Sequence, residues 1–231
     1  MRLKLLAALS ALPLLAACAP EIESTLYLKD VLAAVSDVSV KHVPAVLRIP
    51  QSSEESCNKG LTALIEKLRP LAPVTGDGKC VEKNGDQLAE IETQLDLVPD
   101  GATSDSTNIF FVDIRLAADA TTDAPRLALS FRLGMSLSDV ITALAADSSE
   151  LTADFDPAKF IFTLNNDVEG QTLDVSPQQV FADRAPAMPG DPPITLGYRD
   201  QTELILSDVA SEYVSKAKAY EFAIIAPTTA D

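Results

Sequence analysis

Few residues of this 231-residue chain are equipped for chemistry, and their spacing limits what each could do. The single histidine, His42, excludes His-rich zinc sites and most imidazole acid–base pairs, and its place just before the apolar run VPAVLRI reads as an ordinary strand position. Two SxxK matches, Ser56–Lys59 and Ser215–Lys218, put a lysine one helical turn from a serine. No SDN or KTG segment supplies the rest of such a site, so both read as chance matches. Gly134-Met-Ser136-Leu-Ser138 lacks the second glycine of a nucleophile elbow. Asn165, Asp167, Glu169 and Gly170 occupy positions one, three, five and six of a calcium loop. The acid required at position twelve is Ser176 instead, and strand-like sequence flanks the segment, so a hairpin turn accounts for the same residues. The nine glycines form no phosphate-binding loop. The inventory points to a non-enzymatic protein with no catalytic residues, metal or cofactor.

Charge narrows the partners. The chain carries 18 Lys and Arg against 34 Asp and Glu, for a formal charge of −16. Its basic residues are scattered singly, without the positive stripe that a phosphate binder needs, which argues against nucleic acid.

The elements that would position any site are mostly strands. Three segments alternate apolar and polar residues: Ile91, Leu95 and Leu97; Phe110, Val112, Ile114 and Leu116; Leu127, Leu129, Phe131 and Leu133. Joined by polar loops, they suggest an antiparallel meander. FIFTLNNDVEGQTLDV reads as a further hairpin turning at Asn165–Gly170. The clearest helix is SSEESCNKGLTALIEKLRP. There Ser52 and Glu55 form a capping-box pattern, Cys57, Leu61, Leu64, Ile65 and Leu68 make one apolar stripe, and Pro70 ends the run. LKDV at 28–31 and LSDV at 137–140 and 206–209 each separate an extended stretch from a helix-like one, with the aspartate suited to a helix start. Leu26–Pro50 and Leu204–Pro227 thus read as two strand–helix–strand units, either a duplication or a recurrent choice of turn residue. The proline-rich APAMPGDPP reads as an irregular surface crossover. The expected fold is α+β: an antiparallel sheet of meander and hairpins with three or four packed helices.

The amino terminus says where the domain works. Arg2 and Lys4 precede an apolar run from Leu5 to Ala17. As a helix it would reach roughly 20 Å, short of a hydrocarbon core of about 30 Å, which is the form of a secretory signal. Leu15-Ala16-Ala17-Cys18 resembles the lipobox of bacterial lipoproteins. That resemblance implies cleavage before Cys18 and acylation of its sulfur, with several acyl chains giving stable anchoring. Ala19, where an aspartate would favour the inner membrane, implies the outer one, with the inner membrane or cell surface left open. Beyond the lipobox the chain resembles, loosely, uncharacterised lipoproteins of bacterial and prophage genomes, and no residue pattern carries a function across.

Loss of Arg2 and Lys4 with the leader leaves 16 basic residues against 34 acidic, about −18. Of three cysteines, acylation of Cys18 leaves Cys57 and Cys80, which an oxidising compartment would pair; two separate buried thiols are the alternative. The expected organisation is a signal peptide at 1–17, a lipidated tether at 18–22 and a single periplasmic domain at 23–231. The expected function is binding or assembly, with the membrane held through acylated Cys18 and an envelope protein as partner. A small-ligand or lipid carrier is the alternative, and a hydrolase without a recognisable motif the second. A deep apolar cavity would favour the carrier, a closed core with an exposed apolar patch the binder.

Overall fold

The computed structural model describes residues 19–104, 107–117, 125–145 and 158–229. In chain order the elements are β1 (Glu21–Tyr27), α1 (Leu28–Asp37), β2 (Lys41–Gln51), α2 (Glu54–Leu68), β3 (Lys79–Lys83), β4 (Asp86–Pro99), β5 (Phe110–Ala117), β6 (Arg126–Leu133), α3 (Leu137–Ala145), β7 (Lys159–Asn165), β8 (Gln171–Pro177), β9 (Val180–Ala182), β10 (Ala185–Ala187), β11 (Ile194–Leu196), β12 (Gln201–Leu206), α4 (Asp208–Ser215) and β13 (Tyr220–Thr229). The strands form one sheet in the order β10-β9-β12-β7-β1-β2-β4-β5-β6-β13-β8-β11, with β3 also on β4. The sheet curls into a half-barrel.

This overturns the expected α+β fold on an antiparallel sheet. Among the described residues the molecule is mostly β, its four helices are short, and the sheet is mixed. β1 runs parallel to β7 from Glu21↔Lys159 to Tyr27↔Asn165, and β4 runs parallel to β5 from Asp96↔Phe111 to Pro99↔Ile114. The meander survives only between β5 and β6, which are antiparallel. After Pro99 the chain turns back, with Ala102 N donating to Pro99 O and Asp100 N to Ile114 O, so only the end of β4 meets the start of β5. The expected hairpin at Asn165–Gly170 is instead a crossover. β7 pairs with β1 and β12, whereas β8 pairs with β13 and β11. The two strand–helix–strand units exist in order but are not equivalent: β1 and β2 pair with each other, β12 and β13 do not.

Alternation along the strands fills the inside of the curl. Leu127, Leu129, Phe131 and Leu133 are all buried, as are Phe160, Phe162 and Leu164 of β7. β6 and β7 lie five places apart in the sheet, yet Phe131 stands 4.9 Å from Phe160 and 5.0 Å from Phe162, ring centroid to centroid. Phe222 of β13 stacks on Phe162 at 4.6 Å. The two walls therefore meet through aromatic rings, which add pairwise attraction to their buried area.

The helices start differently from the expected aspartate caps. Asp30, Asp139 and Asp208 lie in the first turns, where they favour the positive end of the helix dipole. The capping oxygens belong to other residues. Ser53 Oγ accepts from Ser56 N, one position past the expected Ser52, while Ser136 Oγ accepts from Asp139 N and Ser207 Oγ from Ala210 N. At α1 the oxygen comes from across the molecule, with Lys29 N donating to Asp167 Oδ1 at 2.9 Å. Asn166, fully buried beside it, donates through Nδ2 to Gln171 O and Leu196 O and exchanges backbone bonds with Arg199 and Asp200. It ties the end of β7 to the starts of β8 and β12 and the end of β11.

Candidate functional site

The sheet register makes a polar pair that the sequence did not announce. His42 of β2 sits directly opposite Asp96 of β4. Its Nδ1 lies 2.8 Å from Asp96 Oδ1, with the ring half-exposed and the carboxylate fully buried. The turn after β4 closes over that carboxylate: Ser104 Oγ donates to Oδ2 at 2.7 Å and Asn108 Nδ2 to Oδ1 at 2.9 Å. Asn108 Nδ2 also reaches Gln94 O, and its Oδ1 accepts from Phe110 N. Beside the pair lies an open cleft of about 490 Å³ lined by Ser39, His42, Thr103 and Ser104 among others. A serine triad needs the hydroxyl on the imidazole, which then takes its proton. Here the hydroxyl is spent on the carboxylate. The constellation instead satisfies a buried carboxylate and pins Ser104 and Asn108 to the sheet.

A second polar group crosses the strands at Arg48. Its guanidinium pairs with Glu21 and Glu23 of β1 and with Glu90 of β4, while Lys83 reaches Glu21 and Lys79 reaches Glu90. Burial alone would raise the pKa of Glu21, but Lys83 and Arg48 outweigh it and hold the carboxyl below its ordinary 4.5. Glu90 is likewise lowered, its burial outweighed by Lys79 and Arg48. For Arg48, burial opposes the charge and the surrounding carboxylates win, holding it firmly protonated.

Cys57 of α2 and Cys80 of β3 form a disulfide with Cα atoms 6.0 Å apart, within the usual span. Cys57 is fully buried, and the α2 stripe packs as expected, with Leu64, Ile65 and Leu68 buried too. The SxxK serines and lysines take up local bonds: Lys59 pairs with Glu55, Ser215 Oγ donates to Ser211 O, and Lys218 lies over the Tyr213 ring. Asp167, placed in the calcium-like loop by sequence, caps α1 instead. Among the described residues no cluster of His, Cys, Asp and Glu could hold a metal ion, and no helix is long and apolar enough to cross a membrane. Cys18 and the leader lie outside the described residues.

Two apolar features remain. Beneath α3, a cavity of about 40 Å³ has only apolar lining, including Ile22, Ile49, Leu137, Val140 and Leu144. On the outside, α4 buries Ala210 and Val214 and leaves Val209 and Tyr213 exposed, at 67% and 45%. With Pro189, Ala219 and Tyr220 these line an open groove of about 400 Å³. The helix-like reading of DVASEYVSKAKAY holds only to Ser215, and Tyr220 already belongs to β13.

No curated protein and no solved structure matches the chain. Residues 20–230 match one family, and over that span, nearly the whole chain, the protein belongs to the family described as Domain of unknown function (DUF7424).

Proposed function

We propose that the mature chain is a lipid-anchored protein of the bacterial cell envelope that acts by non-enzymatic binding of a protein partner, with the groove along α4 as its contact surface. The observation that carries this reading is the α4 face. Val209 and Tyr213 stand exposed side by side on a helix whose other face is buried, and Tyr220 and Pro189 extend the apolar surface. Tyrosine at the centre of such a patch is the residue type that dominates interface energetics. The mature charge of about −18 favours a partner whose apolar contact is rimmed by basic residues. The apolar cavity of about 40 Å³ is too small to enclose a drug-sized ligand, which needs roughly 300 Å³ or more, and the larger clefts are open ones at the surface. The leader and the lipobox motif support the membrane anchor, and a family match that begins at Pro20 is compatible with it.

The test is site-directed photo-crosslinking in intact cells from position 213, compared with position 116 on the exposed end of β5. A defined envelope protein should cross-link from 213 and not from 116, and Val209→Asp should lower its yield about tenfold while leaving the thermal midpoint unchanged. Labelling from both positions alike would overturn the assignment. Fatty-acid labelling lost in Cys18→Ser checks the anchor separately.

A further inference from the structure

The small cavity beneath α3 has a feature that its volume alone does not explain: the amino-terminal chain emerges at its wall. Pro20 is buried and lines it, as does Ala158. The Pro20 carbonyl accepts from Lys159 N at 2.8 Å, so the chain is fixed at that point before β1 begins. The expected tether spans 18–22, but strand pairing already begins at Glu21. Cys18 stands two residues upstream of Pro20, at most about 7 Å of backbone. Any lipid on its sulfur therefore starts within that reach of Pro20, which lines the cavity.

We propose that this cavity takes a few methylenes of one acyl chain carried by Cys18. The inference rests on the acylation of Cys18 set out above. Every lining residue is apolar, so nothing there would stabilise water or a polar headgroup, and an empty apolar void forgoes contacts that a hydrocarbon chain restores. The volume suits part of a chain and no more: roughly three water-sized groups occupy 40 Å³. The remaining lipid stays outside, in the bilayer, so the domain is pinned to the membrane at the α3 end and cannot swing freely about its anchor.

The experiment uses the full chain in membranes, fed a fatty acid bearing a photoreactive group along its chain. Irradiation should cross-link the label to peptides containing Val140 or Leu144, and Ala158→Leu, which adds volume at the rim, should reduce that product at least fivefold with incorporation unchanged. Val140→Phe fills the void from the helix side and serves if Ala158→Leu fails to accumulate. Incorporation at Cys18 with cross-links only to lipid would overturn the inference and leave the anchor standing. Absence of label at Cys18 would remove the anchor and the inference together.

Discussion

Two buried side chains, Asp96 and Asn166, hold this molecule together where its backbone leaves regular structure. Asp96 joins β2 and β4 to the turn that follows β4, and Asn166 joins the end of β7 to the start of β8, the segment before β12 and the end of β11. Asn166→Asp keeps the size but replaces the Nδ2 donor with an oxygen facing Gln171 O and Leu196 O. It should destabilise the fold by about 2–4 kcal/mol in urea titrations, the cost of leaving buried acceptors unpaired beside a new charge. Asp96→Ala should cost a similar 2–4 kcal/mol, because it leaves the buried amide of Asn108 without one acceptor. His42→Ala should cost under about 1 kcal/mol, since that ring is half-exposed. If His42→Ala proved as damaging as Asp96→Ala in the same titrations, the imidazole and not the loop would be the main purpose of the pair. Neither hub was legible in the sequence. Asn165-Asn-Asp167 carries the composition of any turn, and His42 with Asp96 become partners only through a register that spans 54 positions.

Single elements were more legible than their pairing. The α2 stripe and the alternation of β6 report which face is buried, and those assignments match the structure. Alternation failed in β5, where Leu116 is 68% exposed while Phe111 and Asp113 are buried. Phe111 lies beneath the Arg132 guanidinium, which also bonds Asp113 across from β6, so both faces of the strand are covered. Periodicity also cannot choose a neighbour, which is why a strand–turn–strand pattern at Asn165–Gly170 served for a crossover as well as for a hairpin. Two predictions belong to this level. The disulfide closes a separation of 23 residues between α2 and β3, and Cys57→Ser with Cys80→Ser should lower stability by roughly 3 kcal/mol in denaturant melts. The Arg48 group links β1, β2 and β4. Because Glu21 and Glu90 are depressed below 4.5 in the folded state, their contribution is fully present above that value and is lost as pH falls through the lowered folded values. Arg48→Met should therefore cost about 2 kcal/mol at pH 7 and raise the midpoint of acid unfolding followed by circular dichroism.

At the scale of the molecule the path of strands, among the described residues, ends at β10 and β11, with β3 a separate short edge on β4, and the chain joins β10 to β11 directly through residues 188–193. Six residues with Pro189, Pro192 and Pro193 among them form a short, stiff strap between the edges. Each edge strand is only three residues long, and β10 carries Pro186. Short, proline-bearing edges resist pairing with other chains. Pro186→Val restores an amide donor to that edge, and light scattering during mild heating should show earlier self-association than in the parent protein.

The position of β1 sets the order in which this protein can be built. Its parallel partner β7 lies far down the chain, and Lys29 finds its capping oxygen on Asp167, 138 positions away. A fold whose first strand has β2 at once but waits for its second neighbour until most of the polypeptide exists has a high contact order and forms slowly. The amino-terminal half cannot lock as it leaves the ribosome. A nascent chain ending before residue 159 should present β1 with one edge open, in a state a protease can still cut, which is also a state that can be threaded through a membrane before it folds.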